Sequence, residues 1–220
     1  VLGGGVIGVE FASVWKSFGA EVTIVEALPN LVPNEDIACS KALERAFRKR
    51  GINFSLGVRF ASATQDDAGV HVTLEDGKQY DADILLVAVG RGPNTSDMGY
   101  EEQGVAMERG WVLVDERLRT NVPGVFAVGD ITPGLQLAHR GFQQGIFVAE
   151  ELGGLNPVVI ADVNIPRVTY CEPEVASVGL TEAQAREAHG NNVNVYEYNL
   201  GGNGKSQILG TAGFIKLVQV

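Results

Sequence analysis

The stretch from Val1 to Glu26 constrains this chain more than any other. It reads VLGGGVIGVEFASVWKSFGAEVTIVE: a glycine turn, an apolar helix and a β-branched strand in immediate succession. Gly3, Gly5 and Gly8 satisfy G-x-G-x-x-G. That motif carries meaning only when it opens a helix inside a β-α-β unit. Val6 to Phe18 supplies the helix, with Val6, Ile7, Phe11, Val14, Trp15 and Phe18 spaced along one apolar face. Gly19 ends it, and EVTIVE (21–26) follows as a buried strand.

Each glycine has its own reason to be there. Gly3 permits the tight turn, Gly5 lets a pyrophosphate approach the main chain, and Gly8 lets the helix pack closely on the sheet. Gly4, Val6 and Ile7 complete the loop, whose free N–H groups and positive helix end face the phosphates. Glu26 closes the strand 18 residues after Gly8. A carboxylate there accepts hydrogen bonds from both hydroxyls of an adenosine ribose. A 2′-phosphate would meet like charge, and no base follows until Lys41, so the site selects NAD(H) over NADP(H). An acidic ribose ligand serves NAD and FAD alike, so this loop does not exclude FAD.

Bulk properties exclude other classes. With 17 Lys+Arg against 27 Asp+Glu the formal charge is −10, which argues against nucleic acid and anionic membranes as partners. No apolar run is long enough for a membrane span, and no signal peptide is visible. The two cysteines, Cys39 and Cys171, are far apart; they predict reduced structural thiols in a cytoplasmic setting, with no metal site.

Downstream, Asp36 to Arg50 predicts a second helix with Ile37, Leu43, Ala46 and Phe47 inward and a solvated basic end. INFSL (52–56) predicts a third strand, 58–81 a small antiparallel meander, and DILLVAVG (83–90) a buried strand. WVLVD (111–115) and the VFAV run before Gly129 and Asp130 read as further strands. Asp130 suits either the hydroxyls of a sugar or ribityl chain or a helix N-cap. LAHRGFQQGIFVAEEL (137–152) has the period of a buried helix. His139 within it reads as a packed or capping residue rather than a ligand.

GGGVIGVE, EVTIVE, LLVAVGRGPNT, TNVPGVFAVGD, LQLAHRGFQQG and RVTYCEPEVASVGLTEAQA occur in that order. Over all 220 residues the chain resembles the two-cysteine flavin disulfide reductases, most closely the dihydrolipoamide dehydrogenase family. The resemblance implies an α/β architecture in three parts. Residues 1–90 would be a Rossmann-like NAD-binding domain with a β-meander. Residues 91–160 would be the returning part of an FAD-binding domain. Residues 161–220 would start an α+β interface domain that pairs two subunits, with VYEYNL (195–200) and GFIKLV (213–218) as strands and Thr181 capping the helix between.

It also implies roles for single residues. The Gly3–Gly8 loop would hold the NAD pyrophosphate and Glu26 its adenine ribose, with Phe60 near the adenine. Ala88, Val89, Gly90 and Arg91 would line the NAD site. Gly129 and Asp130 would meet the ribityl chain of FAD, and Leu137 and Ala138 would lie beside the flavin. Glu10 would pair with a lysine upstream of this sequence. The family's own FAD pyrophosphate loop, its C-x-x-x-x-C disulfide and its His-Glu base match nothing here. The expectation is therefore an internal fragment, without catalytic residues, of an NAD-linked flavoprotein that oxidises dihydrolipoamide on the lipoyl domain of an acyltransferase core and works as a homodimer. Soluble transhydrogenase, mercuric reductase and a non-catalytic dinucleotide-binding module are the alternative readings.

Overall fold

The computed structural model describes all 220 residues, which divide into two units: Val1–Gly90 with Arg167–Val220, and Arg91–Pro166. The first unit opens with α1 (Val6–Ser17), β1 (Val22–Glu26), α2 (Ile37–Lys49) and β2 (Ile52–Leu56). β1 and β2 pair in parallel, Val22 opposite Ile52 and Glu26 opposite Leu56. Leu2 bridges Val25 on one side and Val87 on the other, both in parallel, so the order across the sheet is β2, β1, Leu2, Val87.

Alternation along β1 decides what packs where. Val22 and Ile24 join a core with Val9, Ala12, Leu43, Phe47 and Ile52 from the flanking elements. Val25 points the other way, onto Val72 and Leu74. Those two belong to an antiparallel meander of β3 (Phe60–Asp66), β4 (Gly69–Leu74) and β5 (Gln79–Ala82). Asp66 and Asp76 accept from the Ala68 and Lys78 amides and so shape its two turns.

α1 turns a different face inward from the one its apolar spacing predicts. Gly8, Val9, Ala12 and Ser13 are buried, while Phe11, Val14 and Phe18 stay exposed, Phe18 at 84%. Close approach to the sheet requires small side chains, and that requirement overrides the bulk-hydrophobic stripe. α2 starts on Asp36, which accepts from Ala38 N at 2.9 Å. Leu43 and Phe47 point inward as expected, but Ile37 is 51% exposed, and Ser40 and Glu44 are buried with them. Arg50 is not a solvated end. It donates to Ser13 Oγ (2.7 Å), Glu172 O (2.8 Å) and Ser17 Oγ (2.9 Å).

DILLVAVG does not form the buried strand predicted from its composition. It makes only the Val87 bridge, with Leu2 N donating to Leu86 O and Ala88 N to Leu2 O, and Ile84, Val87 and Val89 are exposed. A ladder extends only as far as two backbones run side by side, and here Leu2 alone carries the pairing.

The second unit has little regular structure. β6 (Met107–Glu108) and β7 (Trp111–Val112) form a short hairpin. The predicted WVLVD strand stops at Val112 because Asp115 Oδ1 accepts from the Arg117 and Arg119 amides and bends the chain. The predicted VFAV strand reduces to one bridge, Arg119 with Phe126. α3 (Ala138–Leu152) buries Arg140, Gln144 and Phe147 and exposes Phe142, Ile146 and Leu152. It is therefore not a fully buried helix. Its polar inward groups are tolerated because each is bonded: Arg140 Nε to Asp162 at 2.8 Å, Arg140 Nη2 to Pro133 O at 2.7 Å, and Gln144 Oε1 from Gly129 N at 2.7 Å.

The chain then rejoins the first unit through β8 (Arg167–Thr169), β9 (Val175–Ser177), α4 (Glu182–His189), β10 (Asn194–Asn199), α5 (Gly204–Leu209) and β11 (Phe214–Gln219). Thr181 caps α4 reciprocally with Gln184, as its sequence predicts. β10 and β11 pair antiparallel over both predicted strands. Cys171 and Val175 complete the core built by Val9 and Phe47. Cys171 and Cys39 are both free thiols.

Candidate functional site

The glycine turn sits where β1 meets α1. Gly3 N donates to Val25 O at 2.8 Å, which holds the turn at the end of the sheet. Gly3 has φ +109°, and a side chain there would overlap the Ala88 carbonyl. A Cβ on Gly8 would overlap the Gly3 carbonyl, so helix and turn touch at that residue. Gly5 differs: nothing lies within 4 Å of the position its Cβ would take. The three glycines of the motif thus do separate work, two in close packing and one in leaving open space.

α1 begins at that open space. Its N-cap is Gly5, no side chain caps it, and its first turn holds no acidic residue. The first intrahelical bond runs from Val9 N to Gly5 O at 3.0 Å, so the amides of Val6, Ile7 and Gly8 point out of the helix end. Uncapped amides with a positive helix end and a clear approach fit a phosphate or pyrophosphate. The residues present therefore fit the dinucleotide that their spacing predicts.

Glu26 stands beside this turn. Its Oε2 accepts from Gly4 N at 2.6 Å and its Oε1 from Leu28 N at 2.7 Å. A carboxylate offers about four acceptor positions, so roughly two remain for a diol. The loop after Glu26 closes over the turn: Val32 N donates to Gly4 O at 2.8 Å, and Leu31 Cδ2 lies 2.9 Å from where a Cβ on Gly4 would stand. Val58 N donates to Glu26 O at 3.3 Å, so the run into β3 starts at the Glu26 end of the sheet, with Phe60 two residues further on and 37% exposed. Ala88 N bonds Leu2 O at 2.7 Å, which brings Ala88 against Gly3 and leaves Val89 and Gly90 as the exposed continuation.

Other predicted positions have partners the sequence did not suggest. Glu10 accepts from the Tyr170 amide at 2.7 Å, a bond between α1 and the run following β8. Arg91 lies in the second unit, where its guanidinium donates to Gln136 O at 2.9 Å. In that unit Gly129 (φ +75°) and Asp130 form a one-turn 3-10 segment, with the Asp130 side chain free of any cap. Leu137 is the N-cap of α3 and makes no side-chain bond, so Ala138 opens an uncapped helix. Gly141 of α3 lies against Gly129 with room for no more than a close contact. Asp130 and the α3 start are thus an exposed acceptor and a set of donors on adjoining segments, a combination that suits a polyol chain. His139 bonds the Pro166 carbonyl at 2.8 Å and is neither core nor cap.

Two features carried no signal in the sequence. Val32 has φ +43°, rare for a β-branched residue, and the following Pro33 would favour an extended Val32 instead. Beyond it, Glu35 accepts from Arg167 Nε (3.2 Å) and from Ser177 Oγ, and Asp36 accepts from Lys216 Nζ (2.8 Å). The Lys216 ammonium also reaches Glu182 at 2.7 Å. For Asp36, the Lys216 ammonium and the Glu182 and Ala38 amides outweigh burial and lower its pKa. For Lys216, the two carboxylates outweigh burial and raise it. Burial pushes the Cys171 thiol up to about 12 and the Cys39 thiol up as well, so neither favours the thiolate.

Comparison with known proteins shows the family. Residues 1–145 match the family model of pyridine nucleotide-disulphide oxidoreductases, and 165–220 match the dimerisation domain of the same family. A dihydrolipoyl dehydrogenase of Mycobacterium leprae is 39% identical over 224 residues, and one of Bacillus subtilis is 37% identical over 225. Each alignment covers 99% of this chain and 48% or 47% of the relative, so the chain spans about half the length of the curated relatives it matches. Among solved structures, LpdA of Mycobacterium tuberculosis superposes with TM-score 0.90 at 30% identity, over 99% of this chain and 48% of that one. The HOCl-induced flavoprotein disulfide reductase RclA of Escherichia coli gives 0.88 at 33%, over 99% and 50%. With the family model covering well over half of its residues, the chain belongs to the pyridine nucleotide-disulphide oxidoreductases.

Proposed function

We propose that this chain is the nucleotide-binding and pairing part of an NAD-linked dihydrolipoamide dehydrogenase. The observation that carries the reading is the uncapped start of α1 beside open space at Gly5, with Glu26 bonded to the same turn. In this reading Gly3, Gly4, Gly5, Val6, Ile7 and Gly8 hold the NAD pyrophosphate and Glu26 holds the adenosine ribose. Phe60 lies toward the adenine, and Ala88, Val89, Gly90 and Arg91 line the NAD site. Gly129, Asp130, Leu137 and Ala138 hold FAD. Residues 1–90, 91–160 and 161–220 serve as NAD-binding, FAD-binding and interface domains.

The flavin supplies the hydride chemistry when bound. The chain's own residues bind and orient. The α1 amides fix the diphosphate, and the closed packing at Gly3 and Gly8 keeps the turn from moving away. The Glu26 carboxylate discriminates against a 2′-phosphate by like-charge repulsion. Asp130 can accept from hydroxyls while the start of α3 supplies donors. We propose dihydrolipoamide, carried on the lipoyl domain of an acyltransferase core in 2-oxo acid dehydrogenase complexes, as reductant. We also propose a homodimer paired through residues 165–220, acting in the cytoplasm.

A second reading has its own support. RclA shares 33% identity over 99% of this chain, so a flavoprotein reductase with another substrate competes. The whole protein, purified, should be yellow and should reduce NAD+ with dihydrolipoamide, and NADP+ far more slowly. A flavoprotein that oxidises NADH but ignores dihydrolipoamide would favour the second reading. Equal use of NADP+ would remove Glu26 from its role.

A further inference from the structure

The loop from Leu31 to Asp36 lies between the dinucleotide turn and the C-terminal segment, and it is strained. Val32 combines φ +43°, a β-branched side chain and burial to 1% exposure, directly before a proline. Backbone strain of this kind persists only where surrounding contacts over-determine it. On the near side, Val32 N is bonded to Gly4 O, and the fully buried Leu31 presses against Gly4. Gly4 in turn donates to Glu26 Oε2.

The far side supplies most of the restraint. Glu35 N donates back to Val32 O at 2.9 Å, and the Glu35 carboxylate, 8% exposed, is held by Arg167 and Ser177. Asp36 is held by Lys216 and by the Glu182 amide at 3.0 Å. Lys216 is itself fixed by Glu182 and is largely buried. Every one of these far-side side-chain partners comes from residues 167–216.

We infer that Arg167 and Lys216 are positioning residues for the adenosine end of the dinucleotide site, acting through the strained Leu31–Asp36 loop on Gly4 and Glu26. The inference rests on the dinucleotide reading above. Without the two cations, Glu35 keeps only Ser177 and Asp36 only backbone amides, and Val32 relaxes toward the extended backbone that Pro33 favours. Val32 N then leaves Gly4 O, and the Gly4–Glu26 bond loses its support. The nicotinamide end, on the far side of the pyrophosphate, has no such connection.

The test uses the full chain and three ligands: NADH, ADP-ribose and nicotinamide mononucleotide. Lys216→Met and Arg167→Met should weaken ADP-ribose and NADH roughly tenfold, within the ordinary range for coupled sites. Nicotinamide mononucleotide binding should stay as in the wild type. Lys216→Arg should bind as the wild type does. Val32→Gly, which accepts a positive φ without strain, should restore ADP-ribose affinity in the Lys216→Met background. Should the Met variants not fold, Ser177→Ala removes one Glu35 contact and should shift ADP-ribose in the same direction by less.

A lowered melting temperature with unchanged ADP-ribose affinity would overturn the inference and leave these ion pairs as staples of stability. Equal weakening of all three ligands would overturn it too, and so would a failure of Val32→Gly to rescue. A wild-type chain that binds neither NADH nor ADP-ribose would sink the dinucleotide reading itself, which is a different result from a variant that matches a binding wild type.

Discussion

A methyl group added at Gly5 meets nothing, whereas one added at Gly8 meets the Gly3 carbonyl. The two substitutions should therefore separate binding from folding. Gly5→Ala should leave the melting temperature within a degree or two, since Gly5 has φ −73°, open to any residue, but should obstruct the diphosphate. Gly8→Ala should destabilise by about 1–3 kcal/mol through overpacking. Paired thermal melts and NADH titrations check both; a Gly5→Ala protein that binds normally would show that the diphosphate does not approach that residue. Glu151 gives a second single-residue prediction. Arg117 and Arg119 hold its carboxylate at about 2, against an ordinary 4.5. A depressed acid stabilises the fold above its unfolded pKa and loses that effect as pH falls through the folded one. The contribution is complete above about 4.5 and fades between there and about 2. Glu151→Gln should melt lower at pH 7 and show a flatter acid profile across that window. The tight packing at Gly3 and Gly8 and the open space at Gly5 were legible because each follows from local spacing. Val32 was not, because its φ is imposed by Gly4 on one side and Glu35 on the other, and Pro33 argues for the opposite conformation.

Elements were legible where their ends carry chemical punctuation. Asp36 and Thr181 mark helix starts in the sequence and cap them in the structure. Thr181→Ala should cost about 0.5–2 kcal/mol by removing one half of a reciprocal cap, read as a drop in urea midpoint. Restoration of the midpoint by Thr181→Ser would tie the loss to the hydroxyl. Faces were less legible than ends. The apolar spacing of α1 named Phe11 and Phe18, yet the helix buries Ala12 and Ser13, because distance to the sheet, not hydrophobicity, sets that face. α3 buries Arg140 and Gln144 for another reason, since Asp162, Pro133 and Gly129 are placed to bond them. Strands failed most often. DILLVAVG and VFAV have strand composition, but a ladder depends on a partner that composition does not reveal, and each has only a single bridging residue opposite it.

At the scale of the whole molecule, the core belongs to residues far apart in the chain. Cys171 and Val175 pack with Val9, Ala12 and Phe47, and Arg50 reaches the Glu172 carbonyl. A chain ending at Gly90 should therefore melt lower than the full chain. Adding residues 167–220 as a separate polypeptide should recover part of the difference, and scanning calorimetry of the three samples would measure it. An unchanged melting temperature on truncation would mean that Cys171 and Val175 cover the core without stabilising it. Packing makes two compact units, Val1–Gly90 with Arg167–Val220 and Arg91–Pro166, and the three-part division by nucleotide remains part of the proposed function.

The same interleaving sets an order of events during synthesis. The small-residue face of α1 emerges first, and the residues that seal it, Cys171 and Val175, are translated only after the whole of Arg91–Pro166. At about 5–20 residues per second the ribosome needs roughly 4–16 s to reach them from Gly90. Through that interval the nascent protein carries an open apolar seam, and Glu35 and Asp36 beside the glycine turn still lack the partners that residues 167–216 supply. The dinucleotide affinity proposed for that turn would therefore be acquired late, with the residues that seal the helix rather than with the helix itself.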